Sequence, residues 1–106
     1  MALLNQITPA QLMRQIGLPD APAIVDVRIT EDLAAHPAVI PTSLLLPHTA
    51  CTTPPESLRG KRVVVVCHKG RKRSDGAAAM LRIQGIAAEN LEGGSMAWIE
   101  SGLPMT

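Results

Sequence analysis

The 106-residue chain has almost no aromatic side chains: it contains neither Phe nor Tyr, and Trp98 is its only Trp. Proteins that bind single-stranded nucleic acids stack bases on aromatic rings, so this composition predicts no nucleic-acid partner. The sequence also lacks any apolar run near the ~20 residues that a membrane-spanning helix needs. We therefore expect no membrane partner either.

Cysteine is also scarce, with two residues in unlike surroundings. Cys51 lies in a segment rich in Thr and Pro, and Cys67 follows a run of valines, so the pair does not form a disulfide framework. The first six residues lack the charged and long apolar regions of a signal peptide, and we expect a reducing, cytoplasmic location. The histidines and cysteines show no zinc-ligand spacing, so we predict no metal and no other cofactor.

Acidic residues are missing from the segment where the basic residues cluster. The net charge is only +1, but seven of the ten basic residues fall between positions 59 and 73, and no acidic residue does. Cations clustered around a thiol indicate an anionic substrate. The seven are Arg59, Lys61, Arg62, Lys69, Arg71, Lys72 and Arg73.

Apolar segments alternate with helical patterns along the chain, which predicts one α/β domain over residues 1–106. We expect an extended entry at 7–9, strands at 23–27, 43–46, 63–66 and 88–91, and helices at 10–16, 31–36, 75–84 and 95–101. A single helical turn is expected at 56–58 within a loop. Thr8 and Thr30 are predicted to cap the first two helices. Strands that are apolar throughout favour a parallel sheet covered on both faces.

The cysteine at the end of the valine strand is the main functional candidate. Ligands of open parallel sheets bind at the carboxyl ends of strands, and Cys67 lies there. Between it and the alanine-rich helix predicted to open at Ser74 runs a basic loop whose N–H groups are suited to anions. The loop, the helix dipole and the cations all favour the thiolate, which is the nucleophilic form. Gly70 fits a tight cradle, and Ser74 either caps the helix or hydrogen-bonds the sulfur. The predicted substrate-binding set is His68, Lys69, Gly70, Arg71, Lys72, Arg73 and Ser74.

Ordered motifs over residues 7–104 resemble the rhodanese family. Val25-Asp26-Val27-Arg28 is similar to its Asp-Val-Arg strand end, and residues 39–41 resemble its His-Ile-Pro-Gly segment, with Val39 replacing the histidine and Thr42 the glycine. Residues 65–70 resemble its catalytic loop, and residues 91–98 and 102–104 its C-terminal signature. The resemblance implies a three-layer α/β domain with a central, mostly parallel sheet of about five strands and helices on both faces.

The same resemblance implies a sulfurtransferase, a transferase of the thiosulfate sulfurtransferase type. Cys67 would take a sulfur atom from a small anionic donor such as thiosulfate, or from a protein persulfide, and hold it as a persulfide. A thiol, cyanide or a protein sulfur carrier would then accept the atom. Asp26 and Arg28 would support the site.

The loop length leaves alternatives open. The usual rhodanese loop places serine six residues after cysteine, whereas Ser74 lies seven after Cys67. The Cys-x5-Arg spacing from Cys67 to Arg73 is similar to that of cysteine phosphatases and arsenate reductases, in which Arg73 would clamp two oxygens of a tetrahedral oxyanion. No general acid is evident for that chemistry, since Asp75 falls in the helix start. A non-catalytic binding or regulatory module is the third alternative.

For the remaining candidates the structural interpretation is preferred. Arg28 is expected to pair with Asp26 or Asp32 and hold a loop rather than contact substrate. His48 is expected to be a surface histidine rather than a proton donor, and His68 to line the outside of the loop. Cys51 is interpreted as a bystander thiol rather than a partner that resolves an oxidised Cys67.

Overall fold

Five parallel strands form one sheet in the computed structural model, which describes residues 5–106. The strands are β1 Gln6–Ile7, β2 Ala23–Asp26, β3 Leu44–Leu45, β4 Arg62–Val66 and β5 Ala87–Leu91, in the spatial order β1-β5-β4-β2-β3. The helices are α1 Pro9–Gln15, α2 Thr30–Ala35, α3 Lys72–Ile83 and α4 Gly94–Glu100, and short 3₁₀ turns span His48–Thr52 and Glu56–Leu58. The predicted α/β class and the parallel sheet are confirmed.

The central strand β4 is buried on both faces because its valines alternate between two cores. Val63 and Val65 pack in one core with α3, whereas Val64 and Val66 pack in the other with Leu12 of α1 and Trp98 of α4. All four valines are at most 1% exposed. Cys67 continues the alternation onto the α3 side. The strand therefore delivers the thiol to the side of the sheet where α3 begins.

The two edge strands depart from the expectations. Leu44 and Leu45 of β3 pair only with β2, and they are 42% and 53% exposed, so the expectation that every apolar strand is covered was wrong for this one. At the opposite edge, Gln6 and Ile7 pair with β5 and form a true strand rather than an extended entry. Residues 48–52 form a 3₁₀ turn in a segment predicted as loop.

The helix starts test three capping predictions. Thr8 caps α1 as predicted: its Oγ1 accepts the Gln11 N–H at 3.1 Å, and Gln11 Oε1 accepts the Thr8 N–H at 2.9 Å. Thr30 does not cap α2, because it is the first helical residue; the acidic side chains of the first turn interact favourably with the helix dipole there. Ser74 does not open α3 either, since the helix begins two residues earlier and the Ser74 hydroxyl donates to the Arg71 carbonyl at 3.2 Å.

None of the helices within residues 5–106 has the length and apolar character required to cross a bilayer.

Candidate active site

The sulfur of Cys67 lies at the base of the loop that joins β4 to α3. Cys67 is 5% exposed, and its Sγ accepts the backbone N–H of Gly70 at 3.1 Å. Its thiol donates to Ser74 Oγ at 3.0 Å, so the predicted bond across the loop is present. When the thiol loses its proton, the Ser74 hydroxyl can turn from the Arg71 carbonyl and donate to the sulfur. Two donors are thus available to a thiolate.

An open cleft of about 410 Å³ lies above this sulfur. Its lining consists of Cys67, His68, Lys69, Arg71, Lys72 and Arg73. The four Lys and Arg side chains belong to exposed residues, and among residues 5–106 none of them has an ion-pair or hydrogen-bond partner. No carboxylate lines the cleft. Its electrostatic character therefore favours a small anion beside the thiol.

The backbone of the loop adds further donors. The N–H groups of Lys69 and of residues 71–74 have no acceptor within the described part of the chain, as is usual for the first turn of a helix. Such groups bind anions readily, and α3, with 12 residues, contributes its dipole at the same end. The loop therefore has the donors that an anion cradle needs.

The start of α4 holds the loop from the opposite side. The N–H groups of Ser95 and Met96 donate to the carbonyls of Cys67 and His68 at 2.9 and 3.0 Å. The backbones approach so closely that a Cβ on Gly94 would lie 2.4 Å from the Cys67 carbonyl oxygen. A Cβ on Gly70 would lie 2.6 Å from the Gly94 nitrogen, so both positions require glycine. Gly94 of the C-terminal motif therefore allows the close approach of α4 to the loop.

Asn90 is the site residue that sequence reasoning missed. It is 1% exposed on β5, and its Nδ2 donates to the Gly70 carbonyl at 3.0 Å and to Asp75 Oδ1 at 2.9 Å. The one available signal was a polar residue next to the end of a strand, directly before the apolar Leu91. That signal does not distinguish a surface position from a buried hydrogen-bonding one.

Arg28 has a structural role next to the site. It pairs with Asp26 at 2.9 Å, which confirms Asp26 as its partner rather than Asp32, and both side chains are at most 2% exposed. Its guanidinium also donates to the carbonyls of His36 and Ala38 at 2.9 and 2.8 Å. Asp26 and Arg28 line a neighbouring cleft of about 320 Å³ and not that of Cys67.

The histidines are placed differently from one another. His68 lines the Cys67 cleft, so the expectation that it faces the outside of the loop was wrong. Its ring stacks on that of His36, with centroids 6.2 Å apart. His48 is exposed, as expected, and lines two neighbouring clefts, one of which Lys72 and Arg73 also line.

Cys51 is fully buried against α3, and its carbonyl accepts the Gln84 side-chain amide at 2.6 Å. Burial raises the pKa of the Cys51 thiol, which disfavours the thiolate needed for disulfide exchange. Both cysteines are free. The geometry supports the interpretation of Cys51 as a packing residue.

Comparison with known proteins agrees with this geometry. The rhodanese-like domain family matches residues 8–101. A sulfurtransferase from Allochromatium vinosum is 32% identical over 105 residues, which cover 97% of this chain and 95% of that protein.

Two solved structures are also similar. A rhodanese-related protein from Thermoplasma volcanium has a TM-score of 0.81 and 30% identity, covering 96% of this chain and 97% of its own. A rhodanese-like domain protein from Staphylococcus aureus has a TM-score of 0.79 and 31% identity, covering 97% and 99%. The chain belongs to the rhodanese-like domain family, with a sulfurtransferase among its relatives.

Proposed function

We propose that this protein is a sulfurtransferase that carries the transferred sulfur atom on Cys67. The observation that carries the proposal is the Cys67 sulfur under a cleft lined by four cations: it accepts the Gly70 N–H at 3.1 Å and donates its own proton to the Ser74 hydroxyl at 3.0 Å. The 32% identity to a sulfurtransferase over nearly the whole chain supports the same reaction class.

The first half-reaction loads the sulfur. The Cys67 thiolate attacks the outer sulfur of a donor such as thiosulfate, a new S–S bond forms, and the old S–S bond breaks. Sulfite leaves with the electron pair of that bond, and the outer sulfur stays on Cys67 as a persulfide anion. A protein persulfide donor would react in the same way, with its own cysteine thiolate as the leaving group.

The second half-reaction unloads it. A thiolate or cyanide attacks the outer sulfur, and Cys67 leaves as a thiolate. The product is a persulfide on the acceptor thiol, or thiocyanate. No oxidant or reductant is consumed, because the sulfane sulfur is transferred without a net change in its oxidation state. Covalent catalysis in two steps needs a good nucleophile that is also a good leaving group, and a stabilised thiolate is both.

The remaining residues have assigned roles in this proposal. Lys69, Arg71, Lys72 and Arg73 orient the negative group of the donor, and the loop N–H groups stabilise charge on the persulfide. Ser74 donates to the sulfur in its anionic states. Arg28, paired with Asp26, supports the site through its hydrogen bonds to the carbonyls of His36 and Ala38. Because the cleft is open, the sulfur of a protein donor or carrier also has access to Cys67.

Oxyanion chemistry is the second candidate, and the seven-residue spacing from Cys67 to Ser74 favours it. A phosphatase also needs an acid to protonate the leaving group. Asp75 does not line the cleft, and its carboxylate accepts a hydrogen bond from Asn90 at 2.9 Å. Sulfur transfer requires no such acid and is the better match to these residues.

Mass spectrometry after incubation with thiosulfate tests the proposal. We expect a gain of about 32 Da, one sulfur atom, on the peptide that contains Cys67, and its loss after cyanide is added. The Cys67→Ser variant should show no mass gain, and the Cys51→Ser variant should gain the same mass as the wild-type protein. A thiol that stays unmodified by thiosulfate and by a protein persulfide would refute sulfur transfer.

The same preparation separates the alternatives. Protection of Cys67 from iodoacetamide by arsenate or vanadate, without persulfide formation, would identify an oxyanion enzyme. A Cys67 thiol that reacts with neither thiosulfate nor iodoacetamide would identify a binding or regulatory module.

We place the activity in the cytoplasm, because free thiols persist in a reducing compartment.

A further inference from the structure

We propose that Asn90 is a positioning residue for the Cys67 nucleophile. It holds the Gly70 carbonyl, and through the φ and ψ of that residue it restrains the N–H group that Gly70 directs at the sulfur. The inference rests on the proposed function only for what the loop does after the thiolate has formed. Within residues 5–106, no other side chain of β5 donates a hydrogen bond to the loop between Cys67 and α3.

The contacts place Asn90 directly behind the loop. An amide NH₂ group has two protons, and both are used: one on the Gly70 carbonyl at 3.0 Å and one on Asp75 at 2.9 Å. Two acceptors on different elements fix the orientation of the amide plane. Asn90 thus connects strand β5 by hydrogen bonds to both the loop and the first turn of α3.

The effect reaches the sulfur through a single glycine. Gly70 donates its N–H to Cys67 Sγ at 3.1 Å, and its carbonyl is held by Asn90 at 3.0 Å. Gly70 has φ = 68°, in the left-handed region. Because glycine has no Cβ, many other backbone conformations are open to it unless contacts hold this one. Without the bond to Asn90, the Gly70 N–H would lose its fixed direction toward the sulfur.

The peptide unit that joins Gly70 to Arg71 is held directly, because it contains the carbonyl bound by Asn90. In a trans peptide the carbonyl and the following N–H point in opposite directions. Anchoring the Gly70 carbonyl on Asn90 therefore turns the Arg71 N–H away from β5. That N–H is one of those without an acceptor in residues 5–106, so it remains available to an anion.

The polar character of Asn90 has a cost that argues for this role. Its Oδ1 is buried without a hydrogen-bond partner, although neighbouring Leu91 is fully buried and apolar. A buried, unsatisfied acceptor is destabilising, and an apolar residue would avoid it. What an apolar residue could not supply is the pair of N–H donors for Gly70 and Asp75.

The experiment measures two properties of each variant at 25 °C: the alkylation rate of Cys67 by iodoacetamide at neutral pH, and the thermal unfolding midpoint. In Asn90→Ala we expect alkylation to slow about tenfold, because the thiolate loses its directed donor. Gln84→Ala is the matched control, since Gln84 is also an amide that donates to two carbonyls, those of Cys51 and Met80, at 2.6 and 3.1 Å. It should lower the unfolding midpoint without slowing alkylation.

A second comparison separates the loop bond from the helix bond. Asn90→Asp removes both donors, and adding Asp75→Asn returns one hydrogen bond between β5 and α3 but none to Gly70. The double variant should regain stability relative to Asn90→Asp while alkylation stays about tenfold slow. This pair also decides the matter if Asn90→Ala does not fold.

The outcomes are distinct. Wild-type alkylation rates in Asn90→Ala, or full recovery of the rate in the double variant, would overturn the positioning role. Persulfide formation is measured separately on the wild-type protein. If Cys67 of the wild-type protein is alkylated by iodoacetamide but forms no persulfide, the proposed function fails. The role of Asn90 is still judged by the alkylation rates alone.

Discussion

Replacing Gly94 by alanine should damage both the stability and the reactivity of the protein. A Cβ at this position would lie 2.4 Å from the Cys67 carbonyl oxygen and 2.5 Å from the Gly70 nitrogen. Both atoms belong to the backbone of the loop, so no side chain can rotate away to relieve the contact. The Gly70 nitrogen also carries the N–H that donates to Cys67 Sγ. Relief of the clash must therefore move the donor of the thiolate.

The size of the effect follows from two contributions. Gly94 has φ = 62°, and a left-handed conformation costs a residue with a Cβ roughly 1–2 kcal/mol. Overpacking adds roughly 1–3 kcal/mol. The expected loss in the free energy of unfolding is therefore about 2–5 kcal/mol. For a domain of this size, that corresponds to a fall of about 10 °C or more in the unfolding midpoint.

Gly85→Ala provides the matched control. Gly85 also has a positive φ, at 84°, but a Cβ there would meet nothing within 4 Å. This variant should lose only about 1–2 kcal/mol and should keep the alkylation rate of Cys67. Circular dichroism on heating gives the stabilities, and mass spectrometry after timed iodoacetamide treatment gives the rates. Equal stability and equal alkylation in the two variants would refute the contact between the Gly94 turn and the loop as a support of the site.

Three further predictions concern single side chains. Ser74→Ala removes the hydroxyl 3.0 Å from the sulfur and should slow persulfide formation about tenfold in a stopped-flow assay with thiosulfate. Asp26→Ala leaves Arg28 buried without its carboxylate and should cost about 3–5 kcal/mol in urea denaturation, whereas Glu56→Ala breaks an exposed pair and should cost under about 1 kcal/mol. Because burial raises the pKa of Cys51 above its ordinary 9.0, the thiol ionises first in the unfolded chain, and stability falls as the pH rises past that value. Cys51→Ala should remove that alkaline loss, and equal pH slopes for the two proteins would contradict the assignment.

The sequence was most informative where one local pattern determines the structure. The four β-branched valines before Cys67 favour a strand buried on both faces, and a parallel sheet places the next residue at its ligand-binding edge. The Thr8 cap was equally predictable, because the capping box depends on residues three apart. These features depend on neighbours in the chain, which the sequence displays directly.

The rest depends on contacts between distant segments. Asn90 is 20 residues from Gly70, and no local pattern distinguishes it from a surface asparagine. Leu44 and Leu45 have the composition of buried strand residues, and only the strand order shows that they lie at an edge. The start of α3 was misplaced because Ser74, a good capping residue, uses its hydroxyl within the loop instead.

The hydrogen bonds from α4 to the loop have a consequence for the stage of synthesis at which the loop can form. The carbonyls of Cys67 and His68 receive their donors from Ser95 and Met96, so the loop cannot take its final shape until the ribosome has released the chain beyond that point. A nascent chain that ends before α4 contains the thiol, the cations and Gly70 but not the structure that orients them. The shape of the loop around Cys67 is thereby tied to completion of the fold, and we expect a chain truncated before residue 95 to lack this arrangement around the cysteine.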